Sequence, residues 1–248
     1  MDPAPSFDAG AVEAALRGRP VIELKGLFRR SSNYTFLVEL CDGGDALPPI
    51  LAVYKPAQGE SPLWDFPAGT LYRREVAAYV VARHLGWPRI PPTVVREEAP
   101  HGVGALQMYV EPQPDRHYLV SDGKPEERWI EVALFDVLVN NADRKSGHCI
   151  TDDQGVIWMI DHGLTFHVEP KLRTVIWDYA GRAVPRRVRP DLERAAQSLS
   201  NGELAGCLGE LISRRELAAL RRRLMAMLQP GWELPHPVSA WSVPWPPV

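Results

Sequence analysis

Lysine and cysteine are both scarce in this chain of 248 residues, and each shortage limits what the protein can be. There are only three cysteines, Cys41, Cys149 and Cys207, and they lie far apart without a CxxC pair. This spacing argues against a disulfide framework or a cysteine-based zinc site and fits a reducing compartment. Only five lysines occur, so a lysine that ends an apolar strand stands out.

Long apolar runs and an excess of one charge sign are also missing. No stretch approaches about 20 consecutive apolar residues, so we expect no membrane span. The N-terminus has early acidic residues and no apolar core of a signal peptide, which predicts a cytoplasmic protein. With a net charge of −3 and scattered basic residues, the chain is not expected to bind nucleic acid. Its length suffices for one large domain or two small lobes.

The first half of the sequence predicts an α+β lobe. Apolar and β-branched runs separated by Gly, Pro and polar residues are typical of strands, whereas apolar residues at helical spacing indicate a helix. The order is three strands, one helix and two strands, which predicts a five-stranded antiparallel sheet with an inserted helix. The predicted strands are Val21–Phe28, Tyr34–Leu40, Ile50–Pro56, Thr93–Glu97 and Ala105–Glu111, and the predicted helix is Thr70–Leu85.

The second half predicts a mainly helical lobe. A strong amphipathic helix is expected at 126–141, a short hairpin at 149–160, and further helices from Pro190 to Gln229. The tail from Pro230 is rich in Pro and Trp, and we expect it to pack on the surface as an extended segment. These changes of pattern predict two lobes, residues 1–111 and residues 112–248.

Lys55 is the first candidate functional residue, because it follows the apolar run ILAVY near the end of the predicted strand Ile50–Pro56. A buried ammonium group needs a partner, since an unpaired buried charge is costly. Glu75 on the following helix is the natural partner. Such a pair can equally be a plain structural link between a strand and a helix.

Two later segments carry further polar candidates. Asn140–His148 (NNADRKSGH) places an acid, two bases and an imidazole directly after a long helix, although a helix cap and a surface turn would use the same residues. Ile157–Phe166 (IWMIDHGLTF) ends an apolar strand in Asp161, where the carboxylate can reach into a cleft or cap the next turn. Together with Lys55 and Glu75, these residues supply what phosphoryl transfer needs: a cation for phosphates, a metal carboxylate and a group that orients the nucleophile.

The two motifs resemble those of a known superfamily. Asn-Ala-Asp-Arg-Lys-Ser-Gly-His followed by Ile-Asp-His-Gly resembles the catalytic and metal-binding pair of phosphatidylinositol 3-/4-kinase-like enzymes and of HipA-like kinases, over residues 21–180. The resemblance implies a two-lobed protein-kinase-like fold that binds ATP with Mg²⁺ or Mn²⁺. It also implies transfer of the γ-phosphoryl group to a hydroxyl of an unidentified protein or small molecule.

The resemblance also implies individual roles. Lys55 would contact the α- and β-phosphates, and Glu75 would hold it. Asp143 would be the catalytic aspartate and Asp161 the main metal ligand. The segment Met108–Glu111 would be the hinge, where Met108, Val110 and Glu111 bind adenine through backbone groups. The turn Arg29–Asn33 would lie over the phosphates and contact them through Ser31 and Ser32.

Three positions depart from the family pattern. Lys145 stands where the loop histidine is expected, and we expect it to neutralise the transferred phosphate. His148 stands at the second metal position, where imidazole suits Mn²⁺ better than Mg²⁺. His162 replaces the phenylalanine after the metal aspartate. These departures leave two alternatives open, an ATP-binding pseudokinase scaffold and a metal-dependent hydrolase with a cluster of Asp143, His148, Asp161, His162 and His167.

Overall fold

The first half of the chain forms a five-stranded antiparallel sheet with two helices. The computed structural model describes residues 8–28, 33–41, 48–113, 116–120 and 126–248, so Ser31 and Ser32 lie outside the described residues. The strand order is β1-β2-β3-β5-β4, in agreement with the predicted sheet. The elements are α1 (Ala9–Gly18), β1 (Val21–Leu27), β2 (Phe36–Leu40), β3 (Ile50–Pro56), α2 (Leu71–Leu85), β4 (Thr93–Arg96) and β5 (Gly104–Met108).

The core of this lobe follows from the alternation of side chains along the strands. Val38 and Leu40 of β2 and Ala52 and Tyr54 of β3 are fully buried, whereas the residues between them are more exposed. They pack with Leu16 of α1 in one apolar cluster. Because side chains in a strand alternate between faces, this pattern directs one face of the sheet toward α1.

Helix α2 is shared between the two halves of the molecule. It ends at Gly86, which adopts the left-handed conformation (φ 88°) that glycine tolerates at a helix terminus. Eleven of its 15 residues are buried. One side of the helix packs on β4 and β5, and another packs on two helices of the second lobe. A helix that is buried on several sides belongs to the core of the whole fold.

The second half is mainly helical, as the sequence predicts. A single large apolar cluster joins α2 to these helices, and each fully buried Leu, Val or Phe side chain contributes about 1.5–3 kcal/mol to folding. The last long helix begins with a capping box in which Ser213 and Glu216 each accept a backbone N–H of the other residue. The elements are α3 (Glu126–Val139), β6 (Cys149–Thr151), β7 (Ile157–Met159), α4 (Arg189–Asn201), α5 (Glu203–Gly209) and α6 (Arg214–Met227).

The tail after α6 packs along the second lobe as a largely extended segment. The carbonyl of Ser242 accepts hydrogen bonds from the Thr174 N–H (3.0 Å) and from the indole of Trp177 (3.2 Å). The carbonyl of Pro247 accepts one from the Ser146 N–H (2.8 Å), so the tail touches the loop that follows α3. Within the described ranges, no helix combines the length and apolar character that crossing a bilayer requires.

Candidate active site

Lys55 lies where the two lobes meet. Its Nζ atom is 2.5 Å from Glu75 Oε1 and 3.0 Å from Asp161 Oδ1, although Asp161 is 106 positions later in the chain. Strand β5 passes close to this point, because a Cβ atom on Gly104 would lie only 2.4 Å from the carbonyl oxygen of Lys55. The three predicted residues therefore meet across one interlobe cleft.

The charges of this triad stabilise one another. Burial alone would lower the pKa of Lys55, but the carboxylates of Asp161 and Glu75 outweigh burial and raise it. Burial alone would raise the pKa of Asp161, but Lys55 and His148 outweigh it and lower the pKa well below its usual range. Lys55 is therefore an ammonium group and Asp161 a carboxylate at neutral pH.

The backbone around Asp161 is held by Glu75. The second carboxylate oxygen of Glu75 accepts the His162 N–H at 2.8 Å, so one side chain binds both Lys55 and this segment. Asp161 itself has a positive φ (58°), which Asp tolerates better than most residues. Its side chain is 51% exposed despite these contacts, so the carboxylate can meet a ligand.

Asp143 and Lys145 lie in the loop after α3. The side-chain oxygen of Asn141 accepts the Asp143 N–H at 3.0 Å, and the Asp143 carboxylate is 3.4 Å from Lys145 Nζ. Burial, reinforced by the charge of Asp161, outweighs the effect of Lys145 and raises the pKa of Asp143 to about 6. A carboxylate with this pKa can accept a proton near neutral pH.

His148 faces Asp161 across the cleft. Its Nε2 atom is 3.3 Å from Asp161 Oδ2, and its Nδ1 atom accepts the Lys145 N–H at 3.4 Å. Burial, opposed by Asp161, lowers the pKa of His148 to about 4, so the ring is neutral at pH 7. With Nδ1 as an acceptor, the proton lies on Nε2 and points to Asp161.

A buried ion pair that the sequence analysis missed holds the loop after α3 in place. Arg144 and Asp136 are both fully buried, and three nitrogen–oxygen distances between them are 3.2 Å. Arg144 also donates to the carbonyl of Ile160 at 2.9 Å, which joins the loop to the strand end before Asp161. The available signal was Asp136 itself, an acid within the apolar face of α3.

His162 completes this buried cluster. Its Nε2 atom is 2.7 Å from Arg144 Nη2, which donates to it, and its ring packs edge-on against Phe135. Burial, reinforced by Arg144, lowers its pKa well below the usual range. His167 instead contacts the carbonyl of Asp65 at 3.0 Å. Within the ranges that the structure describes, no three His, Cys, Asp or Glu side chains are grouped so as to hold a metal ion.

Helix α2 carries a second buried ion pair that the sequence analysis also missed. Arg74 donates to Glu216 of α6 at 2.5 Å and to the carbonyl of Thr165 at 2.6 Å. Arg74 is 2% exposed and directly precedes Glu75. These hydrogen bonds therefore hold the helix that presents Glu75 against the second lobe.

A cavity of about 510 Å³ opens in front of the triad. Met108 and Val110 line it, whereas Glu111 does not. The Glu111 carboxylate lies beside Tyr109 instead, and burial together with this carboxylate raises the pKa of Tyr109 to about 12. The N–H groups of Met108 and Tyr109 donate to Pro92 and Leu51, and in the described part of the chain that of Val110 has no protein acceptor. Lys145 lies outside the lining. The other predicted residues that line the cavity are the triad itself and two residues of the loop after α3: Lys55, Glu75, Asp161, Asp143 and His148.

Known structures share this architecture. A hydra Fam20 structure with sugar matches with a TM-score of 0.54 and 17% identity over 90% of this chain and 88% of that one. The Helicobacter pylori proinflammatory kinase CtkA matches with a TM-score of 0.50 and 11% identity over 86% and 92% of the two chains. At such identities the likeness shows the fold alone, which is the predicted two-lobed kinase-like fold. The narrower likeness to phosphatidylinositol 3-/4-kinases or HipA stays a prediction.

Sequence comparison identifies a nearer relative. No protein-family model matches the chain. Protein Rv2133c of Mycobacterium tuberculosis (strain ATCC 25618 / H37Rv) is 38% identical over 257 aligned positions, which cover 89% of this chain and 90% of the relative. With this identity over almost the full length of both proteins, the chain belongs to the same family as the mycobacterial protein Rv2133c.

Proposed function

We propose that the protein is an ATP-dependent phosphotransferase that transfers the γ-phosphoryl group to a hydroxyl acceptor. The observation that carries this proposal is Lys55, whose ammonium group lies between Glu75 (2.5 Å) and Asp161 (3.0 Å) at the back of the interlobe cavity. Kinases require this lysine–glutamate pair and a metal-binding aspartate to be in place together. Residues 1–111 and 112–248 are the proposed lobes on either side.

The lining of the cavity supports nucleotide binding. The unused N–H of Val110 can donate to an adenine ring, while Met108 offers apolar contact beside it. Lys55 can bind the phosphates, since Glu75 keeps it in position and charged. Ser31 and Ser32 remain proposed contacts of the phosphates. Assignment to a phosphatidylinositol 3-/4-kinase-like or HipA-like branch is part of this proposal.

The donor groups fit a divalent metal that arrives with the nucleotide. Asp161 offers a half-exposed carboxylate, and Mg²⁺ in kinases takes one or two protein carboxylates with its remaining ligands from phosphates and water. When bound, Mg²⁺ or Mn²⁺ would neutralise phosphate charge. His148 is proposed as a second ligand; its present contact with Asp161 must first be given up.

Asp143 and Lys145 supply the chemistry proposed at the acceptor. The acceptor oxygen forms a bond to the γ-phosphorus while the bond from that phosphorus to the β–γ bridging oxygen breaks. The acceptor proton goes to the Asp143 carboxylate, and the electron pair of the broken bond leaves on ADP. Lys145, 3.4 Å from Asp143, can neutralise the transferred group.

Nucleotide binding is tested by thermal unfolding with ATP and either Mg²⁺ or Mn²⁺. Saturating ligand at about 100 times Kd stabilises by about 2.7 kcal/mol, so we expect the melting temperature to rise by roughly 5–10 °C. Asp161→Asn should lose the metal-dependent part of this rise, whereas Asp153→Asn, an exposed position in the β6–β7 turn, should keep it. Absence of any rise in the wild-type protein would refute the proposal.

The pH dependence of kcat/KM tests Asp143 as the proton acceptor. Its pKa of about 6 lies above the usual value because of burial, and only the ionised form accepts a proton. We therefore expect kcat/KM to rise roughly tenfold per pH unit below about pH 6 and to level off above about pH 7. A profile that stays flat from about pH 5 to pH 7 would remove Asp143 from this role.

A pseudokinase is the second candidate, and the residue type at position 148 favours it. His148 stands at the second metal position, and imidazole is a poorer ligand for Mg²⁺ than an amide or carboxylate oxygen. A protein that binds ATP with metal but releases no ADP during prolonged incubation would be such a scaffold. Steady ADP release that depends on Asp143 would instead identify an active phosphotransferase.

A further inference from the structure

A second cavity lies on the other side of the loop that carries Asp143. Its volume is about 850 Å³, within the range of small-molecule sites. Leu63 and Leu164 line both cavities, and Ala142, the residue before Asp143, lines the second one. The second cavity therefore adjoins the interlobe cleft close to Asp143, the proposed proton acceptor.

The ionisable lining of this cavity is mainly basic, although the chain as a whole has a net charge of −3. Lys171 and Asp65 are 2.8 Å apart and neutralise each other. The remaining ionisable side chains of the lining are three arginines and a histidine: Arg173, Arg222, Arg223 and His236. A cluster of unneutralised guanidinium groups is a site for phosphate or carboxylate.

The arginines have donors to spare. Arg173 and Arg222 are exposed, and within the described ranges neither side chain has a protein partner. Arg223 donates to the carbonyls of Leu138 and His167, but its Nη2 atom is buried without a partner. A buried donor without an acceptor is costly, and an anion in the cavity can supply one.

Aromatic side chains surround the same cavity. Trp64 and Trp241 are 92% and 77% exposed at its rim, and Trp177 also lines it. Tryptophan rings that remain in water gain free energy when a flat apolar surface covers them. Trp241 comes from the Pro- and Trp-rich tail, and six residues of this tail line the cavity: Pro235, His236, Val238, Ser239, Trp241 and Ser242.

We propose that this cavity binds the acceptor, and that the acceptor is a small hydroxylated organic anion with a flat apolar face. Its phosphate or carboxylate would contact Arg173, Arg222 and Arg223, and its flat face would cover the tryptophans. Its hydroxyl would then reach past Leu63 and Leu164 to Asp143. This inference rests on the proposed phosphotransferase function, because it assigns the second substrate of that reaction.

The test uses phenyl phosphate as the probe, with benzoate as the carboxylate probe and benzyl alcohol as the neutral one. Binding to the full chain is followed by NMR titration of the indole N–H signals of Trp177 and Trp241. We expect phenyl phosphate or benzoate to bind, and R173E/R222E to weaken that binding by about tenfold or more. The control R186E/R215E changes the net charge equally at exposed arginines outside the cavity and should leave binding within about twofold.

Thermal shift with ATP and metal is measured on the same variants. R173E/R222E should keep the shift, because neither arginine lines the interlobe cavity. The acceptor proposal is overturned if neither anion binds the wild-type protein, if R173E/R222E binds them unchanged, or if benzyl alcohol binds as tightly as they do. Loss of the ATP shift in the wild-type protein is a separate result and counts against the phosphotransferase proposal.

Discussion

Asp143→Asn is expected to reduce metal-dependent ADP production from ATP by about 10²–10⁴-fold. Asparagine keeps the shape of the side chain but cannot accept the acceptor proton. The variant should still bind ATP with metal, because the two contacts that hold the triad together join Lys55 to Glu75 and to Asp161 and do not include Asp143. ADP release by a coupled assay and thermal shift, run side by side, separate the two effects.

A matched control keeps this result specific. Asp153→Asn makes the same chemical change at an exposed position in the β6–β7 turn, and we expect it to retain wild-type ADP production. If Asp143→Asn turned over ATP at the wild-type rate, Asp143 would have no part in the chemistry. If Asp143→Asn lost the thermal shift together with ADP production, the role of Asp143 would be nucleotide binding.

Asp136→Ala is expected to destabilise the protein by about 3–5 kcal/mol. Asp136 and Arg144 are both fully buried, so removal of the carboxylate leaves a guanidinium charge in the interior without its ion-pair partner. Urea unfolding, followed by circular dichroism, measures the change in the free energy of unfolding. The same variant should lose the proposed activity, since Arg144 joins the loop that carries Asp143 to the Ile160 carbonyl.

Two further variants isolate the charge effect. Glu193→Ala removes an exposed ion pair with Arg189 and should change stability by no more than about 1 kcal/mol. The double variant D136L/R144M should recover part of the loss from Asp136→Ala, because no unpaired charge remains buried. A loss from Asp136→Ala no larger than that from Glu193→Ala would contradict the importance of the buried pair.

Local patterns predicted much of the fold. Lys55 is the penultimate residue of β3, and Asp161 lies two residues after the end of β7. In the sequence, each follows an apolar run. The pairing of Lys55 with Glu75 follows from the cost of an unpaired buried lysine and the proximity of the next helix. Each of these inferences needed only the pattern of neighbouring residues, or the requirement that a buried charge has a partner.

The buried ion pairs could not be predicted in the same way. Asp136 and Arg144 are close in sequence, but that they are buried together depends on how α3 packs, and Arg74 meets Glu216 across 142 positions. His162 was expected to be unusual but not to accept a hydrogen bond from Arg144. The wall of the second cavity likewise comes from five separate parts of the chain, so no single motif indicates it.

The anchoring of α2 on both of its sides has an energetic consequence for ligand binding. In protein kinases, the position of the corresponding helix controls whether the lysine–glutamate pair forms. Here Arg74 joins the helix to α6 and to the Thr165 carbonyl, and Glu75 on the same helix contacts Lys55. Because contacts within the folded chain hold this helix on both sides, the entropy of ordering its side chains is lost during folding, and a ligand of the cleft does not have to order them.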